Sequence, residues 1–108
     1  MKRANQTTGQ GLDPVVGLFR LLSDKTRLNI LMLLAEGERN VSNLCQDLDL
    51  PQPTVSHHLG LLRMQNLIGN RRDGKQVFYG LNGRVNVTAD KGLEILVEKF
   101  TLHLKERD

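Results

Sequence analysis

The sequence predicts a mainly α-helical domain with one β-hairpin (α+β), in the order α-α-α-α-β-β-α. Three observations carry that expectation. Apolar residues recur at helical spacing through most of the chain, Leu50-Pro51-Gln52-Pro53 breaks two short helices apart, and Asp73-Gly74 sits between two strand-like runs. At 108 residues, 39% apolar and 25% charged, the composition is that of one globular domain.

Residues 1–12 are polar and Gly-rich and are expected to form a flexible tail ahead of a domain spanning 13–108. Asp13 can cap a short first helix with Pro14 at its first position, carrying Val15, Val16, Leu18, Phe19, Leu21 and Leu22. Ser23 or Asp24 then caps a second helix, apolar nearly all round and so expected at the centre, which Gly37 ends. Val41, Leu44, Cys45 and Leu48 mark a short third helix by their i, i+3, i+4, i+7 spacing. After the proline break, Val55, Leu59 and Leu62 form the buried stripe of a fourth helix. Two short helices joined by a tight turn make a helix-turn-helix pattern. Asp73-Gly74 then predicts a hairpin whose central residues both take positive φ. A last helix is expected from Thr88 to about Arg107, with Leu93, Leu96, Val97, Phe100 and Leu104 as a near-heptad seam. That seam can pack on the first helix or join it in a dimer interface; two-fold reading of DNA favours the dimer.

Charge is unevenly placed. From Pro51 to Arg84 five cations (Arg63, Arg71, Arg72, Lys75 and Arg84) face Asp73 alone, a net of +4, which leaves −1 on the other 74 residues. Gln52, Thr54, Ser56 and His57 lie off the apolar stripe near the start of the fourth helix, where they can reach base edges or phosphates. Arg71, Arg72 and Lys75 on the hairpin can neutralise phosphates beside them. Helix, hairpin and charge therefore imply one partner, double-stranded DNA.

Other classes find little support. One cysteine, Cys45, excludes an intramolecular disulfide and a Cys-only metal site within one chain. No run of about 18 apolar residues predicts a membrane span, and the polar N-terminus does not read as a secretory signal, so a cytoplasmic setting is expected. Ser56 and His57 are adjacent on a helix, about 100° apart, and cannot pair as nucleophile and base. No Gly-rich phosphate loop follows a strand. No enzyme and no cofactor are expected.

Several of these segments resemble a known family. Leu22-Ser23-Asp24-Lys25-Thr26-Arg27-Leu28-Asn29-Ile30-Leu31 resembles the entry segment of the ArsR/SmtB family of winged helix-turn-helix repressors. The run from Gln52 through Thr54, Val55, Ser56, His57, His58 and Leu59 to Arg63 is similar to that family's recognition helix. Gly74-Lys75-x-Val77-x-Tyr79-x-Leu81 is similar to its wing. The resemblance covers roughly residues 15–105. It implies a homodimeric winged helix-turn-helix transcriptional repressor that binds an inverted-repeat operator and is released by an inducer. It also implies DNA contact by Gln52, Thr54, Ser56, His57 and the wing. Of the family's arsenic-type thiolate positions, Asn40, Ser42 and Cys45, only the last is cysteine, and it lies on an apolar stripe. The zinc-type spacing on the last helix falls on Asp90, Gly92, His103 and Glu106, with one histidine replaced by glycine. The expectation is a repressor whose inducer, still unidentified, is not a typical Cys-bound metal. The alternatives are a metal sensor with a degenerate site at Asp90, His103 and Glu106, or a winged helix used for protein–protein contact.

Overall fold

The computed structural model describes residues 2–107; Met1 and Asp108, the outermost residues of the expected tail and domain, lie outside them. Ten elements follow in order: α1 (Lys2–Leu22), α2 (Lys25–Ala35), β1 (Arg39–Asn40), α3 (Val41–Leu48), α4 (Gln52–Met64), β2 (Ile68–Asp73), β3 (Gln76–Leu81), β4 (Val85–Val87), β5 (Leu93–Val97) and β6 (Phe100–Leu104). Helices α2, α3 and α4 come where the periodicity places them. Asp24 caps α2 by accepting from the Arg27 amide at 3.1 Å, and Gly37 takes φ +148° just past its end. Asn40 caps α3, and Asp49 closes it in the left-handed conformation. Ile30, Leu31 and Leu34 of α2, Leu44 of α3, and Val55, Leu59 and Leu62 of α4 form one buried core. Each such side chain contributes about 1.5–3 kcal/mol by leaving water.

Two expectations about α1 and the hairpin are corrected. Helix α1 begins at Lys2, not at Asp13, and Pro14 lies inside it. An interior proline has no N–H to give the preceding turn, a cost of about 3 kcal/mol that makes a start at Pro14 the ordinary expectation and that α1 bears. The β2–β3 ladder pairs Asp73 with Gln76, so the turn residues are Gly74 and Lys75, one position later than expected. Only Gly74 has positive φ (+64°), as a turn with glycine first requires. The unforeseen β1 adds a third strand, giving the order β1-β3-β2.

The larger correction is at the C-terminus. The expected last helix is a three-stranded antiparallel sheet, β4-β5-β6. The apolar residues there satisfy a period of two better than a helical seam. Val85, Val87, Leu93, Ile95, Val97, Phe100, Leu102 and Leu104 all fall on one face, because the register pairs Val85 and Leu102 with Ile95, Val87 and Leu104 with Leu93, and Val97 with Phe100. The helical seam omits Ile95 and Leu102, yet Ile95 is among the most deeply buried residues of the chain. Gly92 suits the turn into β5: a Cβ there would come within 2.7 Å of the Leu104 carbonyl oxygen. The order of elements is therefore α-α-β-α-α-β-β-β-β-β, still α+β. The sheet packs on α1 of its own chain, with Leu18 and Leu22 buried in the same core as Leu93, Ile95 and Val97.

Candidate nucleic-acid interface

Burying Val55, Leu59 and Leu62 decides what α4 shows to solvent. Gln52, Ser56, Gly60 and Arg63 are exposed at i, i+4, i+8 and i+11, and His57 flanks that stripe. Thr54 is half-buried, away from Gln52 by two residues and beside His57 by three. The N-cap is Pro51, which supplies no side-chain acceptor, so the first amide of α4, that of Gln52, has no side-chain cap. An anion is favoured at such an end.

The hairpin projects beside this helix. Arg72 and Lys75 are exposed, and among the described residues neither has a carboxylate within ion-pair distance. Asn40, at the start of α3, donates to the Gln76 side chain at 3.2 Å. Lys75 and Gln76 at the wing tip, Gln52 at the head of α4, and Asn40 and Ser42 at the head of α3 line one cleft of about 230 Å³. The two expected DNA-binding elements thus line one cleft, to which Lys75 brings a cation.

Arg71 is held differently. Its Nε and Nη2 donate to both carboxylate oxygens of Glu38 at 2.8–3.2 Å, Asp73 lies 3.9 Å away, and its guanidinium sits 4.8 Å over the Phe78 ring. Hydrogen bonding to Glu38, and then its charge, raise the pKa of this already basic group. Arg84 is also engaged: it donates to the carbonyls of Leu96 and Gln65, tying the end of α4 to β5. Of the basic cluster, Arg63, Arg72 and Lys75 are exposed without an ion-pair partner among the described residues, whereas Arg71, also exposed, is held by Glu38.

His58 separates from His57. It is half-buried, and its Nδ1 lies 3.2 Å from Nη1 of Arg27. A guanidinium can only donate, so Nδ1 is the acceptor in this contact. Arg27 also donates to the Leu21 carbonyl at the end of α1, so one side chain joins α1, α2 and α4. The backbone amide of Arg27, followed by the Arg27 charge, holds the Asp24 carboxyl below its ordinary value against an opposing effect of burial. Nothing in the sequence marks Arg27 or Glu38 as partners of residues more than thirty positions away; only the fold joins them.

The family's sensor positions are occupied otherwise. Asn40 is a cap, Ser42 is exposed, and Cys45 packs half-buried against the core. Asp90 sits in the β4–β5 turn, accepts from the Thr88 hydroxyl and pairs with Lys105 at 3.3 Å; His103 is on the polar face of β6 and Glu106 lies beyond it. Among the described residues no three His, Cys, Asp or Glu side chains are grouped to hold a metal, because the helical spacing that would gather them is absent. No helix there is long and apolar enough to cross a membrane.

Helix-turn-helix α3–α4 followed by the β2–β3 hairpin defines a winged helix-turn-helix domain. Comparison with known proteins agrees. Residues 24–69 match the model of the bacterial regulatory protein, arsR family. Over 77 residues the chain is 46% identical to the arsenical resistance operon repressor of Escherichia coli, covering 70% of this chain and 66% of that one. Reduced HlyU from Vibrio cholerae superposes with a TM-score of 0.68 at 32% identity, covering 72% of this chain and 82% of HlyU. The homodimeric winged helix-turn-helix DNA-binding domain of Mb0332 from Mycobacterium bovis superposes at 0.61 with 35% identity, covering 67% of each. The chain spans 52% and 66% of the length of the first curated relatives it matches. The chain belongs to the arsR family of bacterial regulatory proteins.

Proposed function

We propose that this chain is a homodimeric transcriptional repressor that binds an inverted-repeat operator in double-stranded DNA and works in the cytoplasm. The observation that carries this reading is the shared cleft: Gln52 of α4 and Lys75 of the wing line one surface, so a groove-bound helix would bring the wing onto the adjacent backbone. Gln52, Thr54, Ser56 and His57 are assigned to base edges and nearby phosphates, and Arg63, Arg72 and Lys75 to phosphates. The family to which the chain belongs and the repressor it resembles support the regulatory role.

Two-fold assembly is assigned to α1 and the C-terminal sheet in place of the expected pair of helices. Leu12, Val16 and Phe19 lie at i, i+4 and i+7 on the side of α1 away from the core, each at least 38% exposed. Phe100 of β6 meets α1 at Gly11 and extends this apolar surface. The homodimeric relative supports two-fold assembly as such.

Selection from a pool of randomised duplexes, followed by footprinting, tests the reading. A protected inverted repeat is expected, with Gln52→Ala changing the preferred sequence and Lys75→Ala weakening all sequences alike. Recovery of no preferred sequence would remove operator recognition from the account.

A further inference from the structure

Arg71 and Arg72 are neighbours in sequence and are not equivalent in structure. Adjacent residues of a strand point to opposite faces. The register pairs Arg71 with Phe78 and Arg72 with Val77. Arg71 lies on the face of the wing that Glu38 covers. There it makes a two-oxygen contact at 2.8–3.2 Å and stacks on Phe78. Glu38 is not part of the hairpin. It immediately precedes β1, whose Arg39 pairs with Tyr79 of β3, and so belongs to the scaffold linking α2 to α3. The wing is shaped to receive it. Gly80 lies beneath Glu38, and a Cβ there would stand 3.3 Å from the Glu38 Cγ.

We propose that Glu38 is a positioning residue for DNA binding: it takes Arg71 out of the set of phosphate contacts and uses it to fix the angle of the wing against α3. Arg72 and Lys75 are then the wing cations that meet phosphate. A planar, two-pronged pair stacked on a ring restricts direction as well as distance. An exposed pair of this kind adds little to overall stability, so its effect belongs to geometry. The carboxylate also sets a limit: each wing presents one cation fewer than its sequence contains, which keeps sequence-independent attraction down relative to what α4 reads. This inference rests on the DNA-binding reading above.

Fluorescence anisotropy with an operator duplex, from about 50 to about 200 mM salt, tests it through the slope of log K against log salt. Arg72→Gln should flatten the slope by about 0.9 per wing, the value for one lost phosphate contact. Arg71→Gln should leave the slope at the wild-type value while weakening binding severalfold, because the wing loosens but no contact is lost. Glu38→Gln should steepen the slope by about 0.9 per wing as the guanidinium is released. The double variant Glu38→Gln/Arg71→Gln should return it to the wild-type value, which separates released charge from damaged folding. Flattening by Arg71→Gln equal to that by Arg72→Gln would overturn the proposal, as would an unchanged slope in Glu38→Gln. A wild-type chain that binds no duplex at the lowest salt would overturn the DNA-binding reading itself, recognisable because every variant is then equally silent.

Discussion

Asp24 shows how one side chain can serve local structure and the interface together. Its carboxylate caps α2 through the Arg27 amide, and Arg27 in turn reaches His58 on the helix assigned to DNA. Asp24→Ala should therefore cost about 1 kcal/mol in urea-induced unfolding, the usual effect of losing an N-cap. The pH dependence has a definite sign. The Thr88 hydroxyl, and then Lys105, lower the Asp90 carboxyl to about 2, against an opposing effect of burial. An unfolded aspartate titrates near 3.9. A group depressed on folding contributes stability above the unfolded value and loses it as pH falls through the folded one. Thermal melts of Asp90→Asn should thus show a flatter acid limb between about pH 4 and pH 2 than the parent chain. An acid limb identical to the parent's would mean that the turn does not hold this carboxylate.

At the scale of elements, legibility differed along the chain for physical reasons. The second to fourth helices were readable because proline, capping side chains and i, i+4, i+7 stripes all agreed. The C-terminal sheet was misread because Leu93, Leu96, Val97, Phe100 and Leu104 fit a helical seam when Ile95 and Leu102 are left aside. Two substitutions separate these readings. Ile95→Ala should cost about 2–5 kcal/mol, as expected for a buried position, whereas Leu96→Ala, on the opposite face and 43% exposed, should cost much less. A helical seam predicts the reverse order, and denaturant titration of both variants decides it. The site was legible as a surface but not in its division of labour. Spacing and charge point to Gln52, Ser56, His57, Arg63, Arg72 and Lys75, and all six are exposed. The removal of Arg71 by Glu38 could not be placed from them, since it depends on a pairing 33 residues apart that only the β1–β3 ladder creates.

For the whole molecule, the unpaired cations of α4 and the wing and the apolar surface of α1 and β6 fall on different parts of the fold. Arg63, Arg72 and Lys75 are exposed on α4 and the wing without an ion-pair partner among the described residues, while Leu12, Val16, Phe19 and Phe100 remain uncovered on α1 and β6. A surface with both a cationic groove face and an apolar self-association face is what an operator-binding dimer requires. Phe19→Glu should shift the chain toward monomer in sedimentation velocity and weaken binding to a two-half-site duplex far more than to a single half-site. Loss that is equal on both duplexes would place Phe19 outside the assembly interface. The central claim, that α4 and the wing together bind duplex DNA, is tested most directly by anisotropy titration of the wild-type chain with the DNA upstream of its own gene over a salt series. The account predicts tight binding at low salt and a linear fall of log K with log salt, shallower in Lys75→Gln by about 0.9 per wing. No binding at the lowest salt, or a slope indifferent to Lys75, would contradict it.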